Sequence, residues 1–143
     1  MIQRIFFLFF LMFAAGANVS AQPFSYKPNE LMSPKDLADL LKANKAGDIH
    51  ILNMGVERNI KNAIEIGIVS SPSKYKGLQE QLKKYKKNES IVIYCGCCKL
   101  ENCPNVSLAI EKIRELGYTN VRILNFVDGI NEDWIDKGYP MAY

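Results

Sequence analysis

Short apolar runs, bounded by glycine or polar positions, predict the strands of this chain. Residues 49–54, 91–94 and 121–124 form three such runs. The run 91–94 has no alternation of apolar and polar residues, which is typical of a central parallel strand covered on both faces. A further segment has Ile64, Ile66 and Ile68 at every second position, and this period predicts a half-buried strand.

Helical spacing of apolar residues occurs between these runs. Ser33 is the predicted N-cap of the first helix, with Pro34 at its first position and Asp36 placed for a capping-box contact. Gly117 is the predicted C-cap of the third helix. Four helices are predicted, at residues 34–44, 74–87, 104–116 and 132–137, and the first ends between residues 44 and 47.

The alternation of strands and helices predicts the fold class. An α/β chain with this order forms a mostly parallel central sheet with helices on both faces. Ligands of such sheets bind at the carboxyl ends of the strands, where Cys95 follows the run 91–94. His50, the only histidine, is predicted to be a strand-edge residue without a functional role.

The N-terminus has the pattern of a signal peptide. Arg4 precedes an apolar run at residues 5–15, and small residues lead to a predicted cleavage site after Ala21. The run is shorter than the roughly 18–20 residues that a membrane span needs, so no stable membrane anchor is expected. We therefore predict a signal peptide at residues 1–21, one domain at residues 22–143, and a periplasmic or secreted protein.

Charge excludes one class of partner. The formal net charge is +3, and loss of Arg4 with the signal peptide lowers it to +2. Such a small excess gives no reason to expect binding to nucleic acid.

All four cysteines of the chain lie within residues 95–103. An exported protein can form disulfides, but clustered cysteines can tie only one loop to itself, so the clustering favours local chemistry. Cys95 is the best candidate nucleophile because a strand fixes it. Amides of the following loop and the N-terminus of the third helix would favour its anion, and we expect a thiol pKa lowered from about 8.5 toward neutrality. The alternative is a small buried hydrophobic residue.

The C-terminal half of the chain resembles single-domain rhodaneses. The similarity rests first on a strand that ends in cysteine, at residues 91–95, followed by a loop and a helix. It rests also on the later segments at residues 115–118, 120–124, 128–130, Trp134 and 138–140. Upstream, residues 49–55 and 60–63 fit the family by the order of elements. The resemblance implies a rhodanese-like fold.

The resemblance also implies sulfur transfer. Cys95 would accept sulfane sulfur from a small donor as a persulfide and pass it to a thiol or other thiophilic acceptor, without a cofactor. Gly96, Cys97, Cys98 and Lys99 would bind the substrate, with Lys99 as the contact for an anionic donor. Two departures weigh against thiosulfate as that donor. Lys99 is the only cation of the loop, and Asn53-Met54-Gly55 stands where the family has Asp and Arg.

Three interpretations remain for Cys97, Cys98 and Cys103. They could resolve a persulfide or sulfenate on Cys95. With Cys95 they could hold one Zn²⁺ or Cu⁺, although the spacing lacks the paired Cys-x2-Cys units of common zinc folds. Cys97 or Cys98 could instead form a disulfide with Cys103 that stiffens the loop.

Overall fold

The computed structural model of the protein describes residues 24–56 and 58–143. The predicted signal peptide and its cleavage site lie outside these residues, so export stays a prediction. Among the described residues, no helix is both long and apolar enough to cross a membrane.

Five parallel strands form one sheet. In spatial order they are β1, β5, β4, β2 and β3, so β4 is the central strand. In chain order they are β1 at Leu31–Met32, β2 at Ile49–Asn53, β3 at Ala63–Glu65, β4 at Ser90–Tyr94 and β5 at Val121–Leu124. The predicted parallel sheet is confirmed. The short β1 was not predicted, because two residues are too few to show a period, and it pairs with the end of β5.

Helices cover both faces of the sheet, as predicted. Helix α1 (Pro34–Lys42) packs on one face, together with a π-helical turn at Asn131–Ile135 that contains the buried Trp134. Helices α2 (Pro72–Leu82) and α3 (Pro104–Glu115) pack on the other face. Both faces of the central strand are covered, which agrees with its unbroken apolar run at residues 91–93.

The helix ends agree with the sequence in part. Each of the three helices begins with proline at its first position. The side chain of Ser33 makes no capping bond, and its carbonyl accepts the amides of Asp36 and Leu37 instead, so the predicted capping box is wrong. Gly117 has φ +79° and the amide of Tyr118 bonds to the carbonyl of Ile113, which is the geometry of a glycine C-cap.

The predicted half-buried strand around Ile66 is wrong beyond its first residues. β3 ends at Glu65, and the amides of Ile66 and Gly67 both bond to the carbonyl of Asn53. The regular alternation of buried and exposed side chains therefore ends with the strand at Glu65. Ile66 is 8% exposed and belongs to the core, whereas Ile64 and Ile68 are 40% and 42% exposed.

Helix α2 is shorter than its apolar spacing predicts. It begins at Pro72, two residues early, and ends at Leu82 rather than near residue 87. Tyr85 therefore lies beyond the helix, where its ring stacks on the His50 ring with centroids 3.7 Å apart.

Candidate functional site

Strand β4 ends by placing two neighbouring side chains on opposite faces of the sheet. Tyr94 lies on the α1 face, where its hydroxyl accepts the Ile60 amide (2.9 Å) and donates to the Arg58 carbonyl (3.3 Å). Cys95 lies on the α2 and α3 face and is only 3% exposed. The strand thus delivers the thiol into the core beneath the loop rather than into open solvent.

Gly55 forms a close wall beside the Cys95 sulfur. A Cβ atom at Gly55 would lie 3.1 Å from Cys95 Sγ and 3.3 Å from the Gly96 nitrogen. The Gly55 amide donates to Oδ1 of the buried Asn53 at 2.9 Å, which fixes the turn after β2. The sequence predicted Gly55 only as a strand boundary. The pairing of β2 with β4 explains its place, because parallel neighbours end at the same edge of the sheet.

The loop after Cys95 returns to the sulfur through a short 3-10 turn at Leu100–Asn102. The Leu100 amide donates to the Phe126 carbonyl at 2.9 Å, and the Leu100 side chain is buried. This anchor holds the loop against the segment that follows β5. Cys103 is the N-cap residue of α3 and is also buried.

These elements bring all four sulfurs together. Cys95 Sγ lies 2.8 Å from Cys97 Sγ and 4.0 Å from Cys98 Sγ, and Cys97 Sγ lies 3.5 Å from Cys98 Sγ. No two of the four sulfurs are more than 4.8 Å apart. All four are free thiols here, so the predicted disulfide with Cys103 stays a prediction. Cys97 is exposed and Cys98 is half-buried.

The pKa values of Cys95, Cys97 and Cys98 are raised, so the expectation of a lowered pKa at Cys95 is wrong. The hydrogen bond with the Cys103 thiol, followed by burial, raises the pKa of Cys95, although the Cys97 thiol and backbone amide act in the opposite direction. Burial is the main cause that raises the pKa of Cys97, and it raises the pKa of Cys98 to about 12. The expectation considered the amides and helix N-terminus but not the proximity of the other sulfurs.

An open cleft of about 530 Å³ lies outside the cysteine loop. Its lining includes the four residues predicted to bind substrate, Gly96, Cys97, Cys98 and Lys99, together with Val56, Arg58 and residues 128–132, but not Cys95. A small molecule in the cleft therefore meets Cys97 and Cys98 before Cys95.

The cations of this cleft are paired with oxygen atoms. Lys99 Nζ lies 3.5 Å from Asp128 Oδ1, and the Arg58 guanidinium donates to Asn131 Oδ1. Arg58 was not predicted to be a site residue, because it lies between β2 and β3 and outside any sequence motif. Glu132 also lines the cleft, so its described charged residues are two cations and two carboxylates.

His50 lies at the opposite end of the sheet. It pairs in register with Ile91, four residues before Cys95, which corresponds to about 13 Å along the strand. Its Nε2 atom lies 2.9 Å from Glu89 Oε2. This geometry fits the predicted strand-edge role and gives Cys95 no nearby base from His50.

No family model and no curated protein matches the sequence. Solved structures do match the fold. The Alr3790 protein from Anabaena sp. is 16% identical with a TM-score of 0.59, over 78% of this chain and 90% of that one. A protein from Lactobacillus plantarum is 14% identical with a TM-score of 0.59, over 80% and 89% of the two chains.

EanB in complex with hercynine is similar over a smaller part of its length. It is 19% identical with a TM-score of 0.56, and the match covers 78% of this chain and 27% of EanB. Another EanB structure with the same identity and coverage contains ergothioneine covalently linked with a persulfide cysteine. At these identities the likenesses show the fold alone. The protein has a rhodanese-like fold with a cluster of four cysteines at the carboxyl end of its central strand.

Proposed function

We propose that the protein is a sulfurtransferase in which Cys95 carries sulfane sulfur as a persulfide. The observation that carries this proposal is the position of Cys95, at the carboxyl end of the central strand of a rhodanese-like fold. The backbone amide of Cys97 and the N-terminus of the twelve-residue α3 both favour the Cys95 anion, although the Cys103 thiol and burial leave its pKa raised. The EanB structure with a persulfide cysteine adds support by analogy of fold.

The transfer has two displacement steps. In the first, the Cys95 thiol gives its proton to solvent, and the thiolate attacks the outer sulfur of the donor. The bond between the donor's two sulfurs breaks, and the leaving group takes the electron pair. In the second, an acceptor thiolate attacks the outer sulfur of the Cys95 persulfide, so the acceptor gains that sulfur and Cys95 is restored as a thiolate.

Access favours a part for Cys97 in this exchange. Cys97 is exposed in the cleft, whereas Cys95 lies behind it, and their sulfurs are 2.8 Å apart. A donor can therefore load Cys97 first. The Cys95 thiolate then attacks the outer sulfur of the Cys97 persulfide, and Cys97 leaves as a thiolate. No electrons are gained or lost overall in this step.

The cleft favours a donor of low charge. Lys99 and Arg58 already contact oxygen atoms, and two carboxylates line the same cleft. A dianion such as thiosulfate would meet no free excess of positive charge among the described residues. We therefore assign small persulfides as donors and small thiols as acceptors, for a protein that acts in the periplasm or outside the cell.

Cyanolysis tests the transfer. The reduced protein is incubated with a low-molecular-weight persulfide, freed of excess donor, and treated with cyanide, which converts labile sulfur to thiocyanate. The wild type should yield about one thiocyanate per chain, and Cys95→Ser, in which a sulfur loaded on Cys97 has no Cys95 thiolate to accept it, should yield markedly less. Ser107→Ala, a change on α3 outside the sulfur cluster, serves as the control and should retain the wild-type yield. Wild-type labile sulfur at background, or an equal yield from Cys95→Ser, would refute the proposal.

A further inference from the structure

We propose that Cys95, Cys97, Cys98 and Cys103 also form a tetrahedral thiolate site for Zn²⁺. These four are the cysteines of the whole chain, and their sulfurs form one cluster rather than two pairs. The site does not depend on sulfur transfer. It shares Cys95 with the proposed persulfide carrier, but it adds Cys98 and Cys103 as ligands and a metal ion.

The distances between the sulfurs lie within about 1 Å of those in a tetrahedral metal site. Tetrahedral Zn²⁺ has bonds to sulfur of about 2.3 Å, which places its sulfurs about 3.8 Å apart. Three pairs in this cluster are separated by 2.8, 3.5 and 4.0 Å, and no pair exceeds 4.8 Å. Shifts of about 1 Å in the sulfur positions would give a regular tetrahedron, which rotation of cysteine side chains can supply.

The backbone fixes two of the four ligands from separate elements. Cys95 ends the central strand and Cys103 begins α3, and both are buried. The loop between them is anchored by the bond from the Leu100 amide to the Phe126 carbonyl. Cys97 and Cys98 project from this loop and can close on the ion. Two fixed ligands and two adjustable ones form a site with little reorganisation of the fold.

The surroundings suit a thiolate site as well. Leu100, Val106, Leu124 and Phe126 form an apolar wall with Cys95, Cys98 and Cys103. Such a wall keeps water from the inner side and strengthens the attraction between thiolate and cation. On the outer side Cys97 is exposed to the cleft, which leaves an entry path for the ion. The N-terminus of α3 partly offsets the negative charge that four thiolates leave around a divalent ion.

The ligand set selects the metal. Four sulfur ligands in tetrahedral reach favour Zn²⁺ over Mg²⁺ and Ca²⁺, which require oxygen. The sequence predicted Zn²⁺ or Cu⁺ equally. Four converging thiolates favour Zn²⁺, because a singly charged ion compensates less of their charge.

Metal occupancy would exclude sulfur transfer. Because a bound Zn²⁺ ion would be coordinated by the Cys95 sulfur, the zinc-bound protein could not accept sulfane sulfur at that sulfur. This competition rests on the proposed function, whereas the site itself does not. Zinc stoichiometry and thiocyanate yield are separate measurements, so failure of either proposal can be recognised by itself.

The test measures metal directly. The protein is purified without a metal-affinity tag, reduced with a phosphine, equilibrated with Zn²⁺ and dialysed, and its metal content is determined by elemental analysis. We expect one Zn²⁺ per chain. Replacement by Co²⁺ should give the intense visible absorption of a tetrahedral thiolate complex. Cys97→Ser and Cys103→Ser should each weaken Zn²⁺ binding by about a hundredfold or more.

Controls keep the result interpretable. Cys97 is exposed, so Cys97→Ser should fold, and far-ultraviolet circular dichroism of each apo variant checks this. Ser107→Ala should keep wild-type Zn²⁺ affinity. A wild type without bound zinc, wild-type affinity in folded Cys97→Ser and Cys103→Ser, or a purified protein that holds iron or copper in preference to added zinc would each overturn the proposal.

Discussion

The two ends of the parallel sheet carry polar groups of opposite kinds. At the amino end, basic side chains are hydrogen-bonded to carboxylates. His50 contacts Glu89 before β4, and Arg114 at the end of α3 bonds to Glu30 before β1, with Nε 2.9 Å from Glu30 Oε1. At the carboxyl end, four thiols contact one another, while Lys99 contacts Asp128.

We infer from this difference that the amino end of the sheet contributes to stability and that the carboxyl end binds the ligand. Each pair at the amino end satisfies its own groups and holds neighbouring segments together. At the carboxyl end, burial and contacts among the thiols raise the pKa values of Cys95, Cys97 and Cys98, and an added sulfur atom or a metal cation changes that balance. Changes at the carboxyl end should therefore alter ligand binding, and changes at the amino end should alter stability. Four substitutions test this division.

Substitution of Gly55 should damage the carboxyl end most. In Gly55→Ala the new Cβ would lie 3.1 Å from Cys95 Sγ, closer than ordinary contact, so the sulfur must move. We expect Zn²⁺ binding and labile sulfur yield to fall about tenfold, because the same Cβ would lie 3.3 Å from the backbone nitrogen of Gly96, which rotation of the Cys95 side chain cannot relieve. Gly47→Ala is the matched control, since its Cβ would meet no atom within 4 Å. Equal Zn²⁺ binding and equal labile sulfur yields in the two variants would show that the absence of a Cβ atom at Gly55 is unimportant for the site.

Loss of the Arg114 pair should lower stability without changing the site. Glu30 and Arg114 are only 13% and 29% exposed, and their bond joins the N-terminal segment to α3. Arg114→Met keeps the aliphatic part of the side chain, and we expect a loss of about 1–2 kcal/mol in the free energy of unfolding. Urea denaturation measures it. A fall in thiocyanate yield of the folded variant would contradict the separation of the two ends.

The same pair should make stability depend on acid pH. The hydrogen bond from Arg114 holds the pKa of Glu30 below its ordinary value of 4.5. The unfolded chain therefore takes up this proton first, and the contribution of Glu30 is complete above pH 4.5 and lost as pH falls through its lowered folded value. Urea curves of wild type and Glu30→Gln should differ at neutral pH and converge in acid. A constant difference at all pH values would contradict this origin.

Substitution of His50 should have the smallest effect. The His50–Glu89 pair is about one third exposed on each side, and exposed pairs contribute little. His50→Ala also loses the stacking on Tyr85, so we expect a small fall in melting temperature and unchanged labile sulfur. A large loss of sulfur transfer would instead give the only histidine a catalytic part.

Much of this fold could be predicted from local pattern. The apolar run 91–94, Pro34, Pro104 and Gly117 are strong local signals, and the strand-helix alternation then permits few topologies. The end of β3 was missed, because Ile64, Ile66 and Ile68 keep a strand period beyond Glu65, where the amides of Ile66 and Gly67 both bond to the Asn53 carbonyl of β2. Long-range hydrogen bonds of this kind leave no local pattern.

The candidate site could be predicted only in its outline. The strand fixes Cys95, and the sequence located it. The contact of Gly55 with that sulfur and the pairing of Lys99 with Asp128 depend on segments that meet only in three dimensions. The raised pKa of Cys95 has the same origin, since it depends on how closely Cys103 returns.

Sulfane sulfur on Cys95, at the carboxyl end of the sheet, can be detected directly by mass spectrometry. Metal-free, reduced protein is treated briefly with a low-molecular-weight persulfide, and intact and fragment masses are measured. We predict an increase by the mass of one sulfur atom, assigned by fragmentation to Cys95 and lost in Cys95→Ser. An unchanged mass, or an added sulfur that persists in Cys95→Ser to the wild-type extent, would contradict the account.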